Sequence, residues 1–209
     1  KDCIHAQLSH VMNAEDIYLN YTYETSSSIT LREHFRKGST RIINKFKPKK
    51  GSLVVDIGSN DGSFLEACKN IGFQAIGIEP AKAVANYANE LGRKTINAYL
   101  DKELKRKLFE KGLCTKFDFI TFNNVLANIN EPIEAIKIAK LLLKDRDSEI
   151  VIQTGYHPLQ FSKGLFDYIY HEHFSYFNIN SMRAICNQVN LKIDKYNISE
   201  LRGGSIRFY

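Results

Sequence analysis

Leu53-Val54-Val55-Asp56-Ile57-Gly58-Ser59-Asn60-Asp61-Gly62, followed by Gly77-Ile78-Glu79-Pro80, is the stretch that decides the fold. A short apolar run ends in an acid, turns through two glycines into a helical segment, and leads to a second β-prone run that ends in a carboxylate. Open α/β sheets bind ligands outside the carboxyl ends of such parallel strands. Gly58 and Gly62 let the backbone approach a ligand with no Cβ in between. Glu79 falls 21 residues after Gly58, where an acid that holds a ribose diol belongs. The spacing is Gly-x-x-x-Gly, however, whereas a pyrophosphate needs the tighter Gly-x-Gly crossing onto a helix N-terminus. Flanked by Asp56 and Asp61, the looser turn suits a ligand with a cationic centre. S-adenosylmethionine (SAM), with its sulfonium and α-amino group, is such a ligand, and S-adenosylhomocysteine (SAH) is what it leaves behind.

Outward from this stretch, strand and helix patterns alternate. Strands are expected at Leu53–Ile57, Gln74–Ile78, Lys94–Asn97, Phe117–Phe122, Glu149–Thr154, Lys192–Tyr196 and Ser205–Tyr209. Helices are expected between them at Gly62–Ile71, Ala81–Leu91, Lys102–Lys111, Ile133–Leu143 and about Ser181–Val189, with one more before the glycine turn, from about Ile29 to Phe46. Such alternation predicts a mainly parallel sheet covered on both faces. No long helix separates the last two strands, so they are expected to pair antiparallel. Seven strands with the last one reversed is the Rossmann-like layout of the class I SAM-dependent methyltransferases.

Composition sets the outer bounds. At 209 residues, 44% apolar and 25% charged, the chain has the make-up of one globular domain. No run approaches the 18–20 or so apolar residues that span a membrane. Cys3, Cys68, Cys114 and Cys186 are scattered with no C-x-x-C pair, which speaks against a disulfide framework or a self-contained zinc site and for a cytoplasmic setting. The net charge of +6 comes partly from clusters at Lys45–Lys50 and Lys102–Lys107. These read as solvated faces, and without interleaved aromatics they argue against nucleic acid as a partner. A chain that starts at Lys1 without Met and stops inside a predicted strand reads as part of a longer protein.

On the cofactor side the candidates are Asp56, Gly58, Asn60, Gly62, Glu79, Pro80, Asn97, Asn123 and Asn124. Glu79 can accept both hydrogen bonds of a ribose diol; the plainer alternative is a solvated helix-capping acid. Asn97 is placed for the adenine edge. Asn123 and Asn124 end the fourth strand, where their amides hold the cofactor's amino-acid end or cap the following loop.

Two further segments bear on the substrate. Tyr21-Thr22-Tyr23-Glu24-Thr25-Ser26-Ser27-Ser28 is a dense polar-aromatic patch, or simply a hydroxyl-rich lead-in that caps the next helix. Phe166 to Phe177 contains Tyr170-His171-Glu172-His173. In an extended segment the two imidazoles share a face and Glu172 points away, with no third ligand signalled for a metal. A buried structural cluster is another option. The chemistry best suited to these residue types is general acid/base work: histidine titrates near neutrality and can take a proton from carbon beside a carbonyl, while tyrosine steadies the enolate.

Taken with Gly77-Ile78-Glu79-Pro80-Ala81, Asn123-Asn124-Val125-Leu126-Ala127 and Gly203-Gly204-Ser205-Ile206-Arg207, these segments resemble the nucleotide-sugar C-methyltransferases that methylate C3 of dTDP-4-keto-deoxyhexoses in antibiotic deoxysugar pathways. The resemblance implies His173 as the base, Tyr170 as the enolate partner and Glu172 as the residue that orients the base. It implies Tyr21, Tyr23, Ser26, Asn128, His171 and Arg207 near the sugar. It also implies a three-part protein, of which residues 1–28 are the tail of an N-terminal zinc-binding domain, 29–209 the methyltransferase domain, and the C-terminal domain is absent. Cys3 resembles a leftover zinc ligand without its partners, so no metal is expected. The chain departs from the pattern at Asn128, where many members carry His, at Gln153, where an acid is expected, and at Arg202, where His or a small polar residue is expected. The expectation is a monomeric, cytoplasmic SAM-dependent C-methyltransferase acting on a small nucleotide-linked keto sugar. The alternatives are another small-metabolite acceptor, a non-catalytic SAM-binding scaffold, and a nicotinamide oxidoreductase, the last disfavoured by the missing Gly-x-Gly.

Overall fold

The computed structural model describes residues 4–13 and 50–209, together with residues 16, 17, 33 and 37. Tyr21, Tyr23, Ser26, Cys3 and most of the helix expected over residues 29–46 lie outside the described residues. Strand β1 is Ala6–Gln7, β2 Leu53–Ile57, β3 Gln74–Glu79, β4 Thr95–Asn97, β5 Phe119–Asn123, β6 Glu149–Gly155, β7 Ser175–Tyr176, β8 Tyr196–Ser199 and β9 Ser205–Phe208. Helix α1 is Ser63–Lys69, α2 Lys82–Glu90, α3 Leu104–Glu110, α4 Pro132–Leu142, α5 His157–Ser162 and α6 Ile179–Gln188. Seven strands form one sheet in the order β4-β3-β2-β5-β6-β9-β8, and β1 and β7 pair separately. β2, β3 and β4 run parallel, and β9 is antiparallel to both β6 and β8. The class I methyltransferase sheet expected from the alternation is therefore the one the chain forms. No helix of the described residues is long and apolar enough to cross a membrane.

The chain divides into two compact units, one of Glu15–Thr121 with Leu142–Glu149, the other of Lys1–Ala14, Phe122–Leu141 and Ile150–Tyr209. In the first, β2 is buried from Val54 to Ile57, as a strand covered on both faces must be. Gly77 stands opposite Asp56 in β3. A Cβ at Gly77 would lie 2.2 Å from Ser59 Oγ and 2.9 Å from Thr95 Oγ1, so only glycine lets the turn after β2 settle on that strand. Leu104 and Leu108, one helical turn apart on α3, are completely buried. In the second unit Phe122, Leu126, Phe177, Met182 and Ile206 make the core. Asn178 and Ser181 cap α6 reciprocally, each side chain bonding the other's backbone N–H at 2.9–3.0 Å.

Three local expectations change. The strand expected at Lys192–Tyr196 begins only at Tyr196, although Lys195 exchanges backbone hydrogen bonds with Tyr209 and Asp194 donates to the Tyr209 carbonyl, which carries the pairing with the chain end one residue further. Helix α5 occupies what reads as loop: Pro158 breaks a helix from inside but is favoured in its first turn. The β1–β7 pair is two residues long, too short to leave a periodic signal.

Candidate functional site

In the first unit the glycine turn hangs on β3 by its backbone: Gly58 and Ser59 donate to the Ile78 carbonyl at 2.8 and 3.1 Å. Gly58, Asn60 and Gly62 all adopt left-handed conformations, at φ 65°, 51° and 73°. Gly62 is glycine for a second reason, since a Cβ there would lie 2.7 Å from Arg93 Cβ. Arg93 in turn donates to the Asp61 carbonyl at 2.8 Å and pairs with Glu66. The turn thus presents a fixed edge. Beside it, Glu79 is buried and accepts the Asn60 amide on Oε2 at 2.8 Å and the Ala81 amide on Oε1 at 2.9 Å. Burial raises its pKa, and those two amides offset part of the rise. A carboxylate has about four lone-pair sites. Two are used here, which leaves one on each oxygen for a vicinal diol.

The neighbouring candidates are more constrained than the sequence implies. Asp56 is buried within β2 and accepts from Thr121 Oγ1 at 2.6 Å. Asp61 does not flank a cationic ligand: it is fully buried, and its Oδ1 accepts from Ser63 N at 3.0 Å and Ser63 Oγ at 2.7 Å. This is a local turn that starts α1. Asn97 spends both amide protons on the Glu79 and Pro80 carbonyls, at 3.0 and 2.7 Å. Only its Oδ1 is left for an adenine edge.

In the second unit His173 sits one residue before Phe174, which is buried and whose N–H donates to the Ala127 carbonyl at 2.7 Å. His173 Nδ1 lies 2.9 Å from the Tyr168 carbonyl oxygen, and Nε2 lies 3.2 Å from Tyr170 Oη. A carbonyl only accepts, so Nδ1 carries the proton and Nε2 presents its lone pair to the phenol, a tautomer assigned from these partners. The Tyr168 ring stacks parallel to the imidazole at 6.4 Å, and the Tyr170 ring tilts against it at 4.4 Å. Burial lowers the His173 pKa against the opposing pull of the Tyr168 carbonyl and the Glu172 charge. Burial, and then the Glu172 charge, raises the Tyr170 pKa. A neutral base faces a protonated phenol.

The segment is not extended. His173 N–H closes a turn on the Tyr170 carbonyl at 3.0 Å, and His171 and Glu172 form its tip. The two imidazoles do not share a face: His171 is exposed, 3.9 Å from Glu172. Glu172 does not orient His173 by a hydrogen bond, for that place belongs to the Tyr168 carbonyl. Arg207, expected at the substrate, is buried in β9 and donates to Gln153 Oε1 across the β6–β9 pair. The amide at 153 therefore serves the sheet, and Arg207 is a structural partner rather than an open contact. Asn123 ends β5 half-buried, and Asn124, at φ 58°, lines a cleft together with His173. Asn128 ends a short helical turn, Leu126–Asn128, with Oδ1 buried and without a hydrogen-bond partner.

That cleft encloses about 30 Å³, room for a water-sized group, and His157, Gln160, Tyr168, Ser175 and Tyr176 also line it. His157 follows the end of β6, a position that ligand-binding residues favour in such sheets, and that was the available signal for it. Between the cleft's lining residues Arg202 and Ser205, Gly203 and Gly204 adopt φ 74° and 148°; a Cβ on Gly203 would lie 2.3 Å from Leu165 Cδ1, and one on Gly204 3.0 Å from Leu159 Cγ.

A family model described as a methyltransferase domain matches residues 31–196. The chain belongs to the methyltransferase-domain family. C-methyltransferase NovU of Streptomyces niveus is 28% identical over 200 residues, covering 95% of this chain and 47% of its own length. The chain thus spans about half the length of that curated relative. Among solved structures, a SAM-dependent methyltransferase from Archaeoglobus fulgidus matches with a TM-score of 0.61 at 22% identity, over 80% of this chain and 72% of that one. Magnesium protoporphyrin IX methyltransferase ChlM of Synechocystis PCC 6803, crystallised with SAH, matches with a TM-score of 0.64 at 14% identity, over 93% and 90%. At these identities the structural likenesses speak for the fold. Fold and family together make this a SAM-dependent methyltransferase domain with SAM as its cofactor.

Proposed function

We propose that the protein methylates carbon beside a ketone in a small, nucleotide-linked 4-keto-deoxysugar, with His173 as the base. The observation that carries this reading is the placing of His173: its Nδ1 lies at the Tyr168 carbonyl and its Nε2 beside Tyr170 Oη in a polar cleft, and burial lowers its pKa. A base whose pKa lies near or below neutrality is ready to take a proton at neutral pH. The match to NovU, a C-methyltransferase, supports carbon as the acceptor, and the motif resemblance supports the sugar.

On the cofactor side, the two lone pairs left on buried Glu79 fit a ribose diol, with the fixed glycine turn of Gly58, Asn60 and Gly62 alongside. Asp56, Pro80, Asn97 and Asn123 remain candidates for the rest of that ligand. Bound SAM supplies an electrophilic methyl group, so the protein's part is deprotonation, alignment and exclusion of water. Tyr170 keeps the Nε2 lone pair hydrogen-bonded until the substrate arrives. Asn124, which lines the cleft, offers its amide to substrate hydroxyls, and Asn128 is proposed near the sugar on the resemblance. Tyr21, Tyr23 and Ser26 are proposed near the sugar on the resemblance alone, as are the domain limits; the cytoplasmic setting is proposed from the scattered cysteines, and the protein is proposed to be a monomer.

A His173→Ala variant of the full chain tests the assignment. It should keep its thermal stabilisation by SAM and SAH and lose turnover of a dTDP-4-keto-deoxyhexose by about 10²–10⁴-fold. Retained turnover removes His173 as the base.

A further inference from the structure

We propose that residues 4–8 are a strap that holds the base, His173, in its working position, fastened by the Leu8 backbone N–H and the Asn178 side-chain amide. The inference rests on the reading of His173 as the base and deepens it. Residues 4–8 lie in the same compact unit as His173. Leu8 and Asn178 touch neither substrate nor cofactor in this account; they are positioning residues that act through the backbone carrying the base.

A base carried on a turn is placed only as exactly as the backbone at the ends of that turn. On one side of His173 the chain runs through the turn tip, where His171 is exposed. On the other side stands Phe174, and both of its backbone groups are tied. Its N–H donates to the Ala127 carbonyl at 2.7 Å, and its carbonyl accepts the Leu8 N–H at 2.9 Å. From there the strap runs antiparallel to β7, with Gln7 opposite Ser175 and Ala6 opposite Tyr176. The His5 ring lies 5.3 Å from that of Phe177, and its Nε2 lies 3.2 Å from Ser175 Oγ. Asn178 Nδ2 donates to the Ile4 carbonyl at 2.6 Å. Residues 8, 7, 6, 5 and 4 thus meet residues 174, 175, 176, 177 and 178 in turn, and the series starts at the residue next to the base.

Burial does not account for this pairing. Ala6 and Gln7 are exposed, so the ladder adds no apolar core there; what it adds is a fixed register for the chain leaving His173. Ser175 and Tyr176, its partners in the ladder, line the cleft together with His173. Such placing matters to the rate, since a misplacement of about 1 Å can cost about 10²-fold. Asn178 shows the same economy. Its Oδ1 accepts the Ser181 N–H at 2.9 Å and caps α6, while its Nδ2 holds the strap. Aspartate caps a helix as well as asparagine does, but it has no proton to donate to the Ile4 carbonyl. The cap and the strap can therefore be separated by one substitution.

The test uses Asn178→Asp, which keeps the cap and deletes the donor to Ile4, and Leu8→Pro, which deletes the N–H that reaches Phe174. Leu8→Ala keeps that N–H and is the control. Hydrogen–deuterium exchange at C3 of a dTDP-4-keto-deoxyhexose in D2O, kcat, KM and SAM affinity are measured for each variant of the full chain. Asn178→Asp and Leu8→Pro should each lose about ten- to a hundredfold in exchange and in kcat. KM and SAM affinity should stay within twofold of wild type, which also shows that the variants fold, and Leu8→Ala should match wild type throughout. Wild-type exchange in either Asn178→Asp or Leu8→Pro overturns the inference alone. So does a loss that Leu8→Ala shares, or one that comes with an equal loss of SAM affinity. Absence of exchange in the wild-type protein overturns the keto-substrate reading and this inference with it.

Discussion

Glu79→Gln separates the cofactor reading from a structural one. The wild-type carboxylate is buried, accepts one backbone amide on each oxygen, and in the proposed complex accepts one ribose hydroxyl on each as well. Glutamine converts one oxygen into an NH2 group. That edge then turns donors toward the amide of Asn60 or Ala81 and toward one ribose hydroxyl. The intramolecular cost is opposed by a gain, because burial already disfavours the charged form. A carboxyl whose folded pKa lies above its unfolded value contributes stability that is full below the ordinary Glu value and lost as pH rises through the raised one. At pH 7 glutamine removes that desolvation cost, so the melting temperature should move little. Cofactor binding has no such compensation. Loss of one hydrogen bond to a charged acceptor is worth about 1.5–3 kcal/mol, which is roughly a ten- to hundredfold rise in the SAM dissociation constant. Isothermal titration with SAM and SAH on the wild-type and variant chains, with NAD as control, measures it. A dissociation constant within twofold of wild type in a folded variant would refute the diol assignment.

Three further outcomes follow from the second unit. The lowered His173 pKa means that the acid limb of kcat/KM should fall with a midpoint below the ordinary histidine value of about 6.5. The same shift contributes stability that is present above that value and lost as pH falls through the depressed one, so a His173→Gln chain should be less acid-sensitive in melting scans between pH 7 and 5. Gly203→Ala combines a left-handed φ of 74° with a Cβ 2.3 Å from Leu165 Cδ1. It should cost about 1–3 kcal/mol in urea unfolding, and an unchanged midpoint would show that the Gly-Gly turn is not under this constraint.

The sheet was legible because parallel strands buried on both faces are written as unbroken apolar runs, and β2 matched its expected limits residue for residue. Glu79 was legible for a similar reason: its position is set by the strand–helix–strand period. What the sequence hid depends on backbone atoms and on chain reversals. The Tyr168 carbonyl that orients His173 has no side-chain signature, so the acid next to His173 in the motif, Glu172, took the role on paper. Asp61 looked like a ligand-facing carboxylate because a turn that folds it onto Ser63 reads the same as one that leaves it free. His157 was hidden behind Pro158, which reads as a loop until the strand before it is seen to run directly into a helix.

The central claim is carbon methylation at the position His173 deprotonates. The direct measurement is transfer from SAM labelled with ¹³C in its methyl group to a dTDP-4-keto-deoxyhexose labelled with ¹³C at C3, read by ¹³C NMR. The account predicts a one-bond carbon–carbon coupling between the new methyl and C3 in the product of the wild-type chain, and none with His173→Ala. A methyl signal without that coupling, bound instead to oxygen or nitrogen, contradicts it.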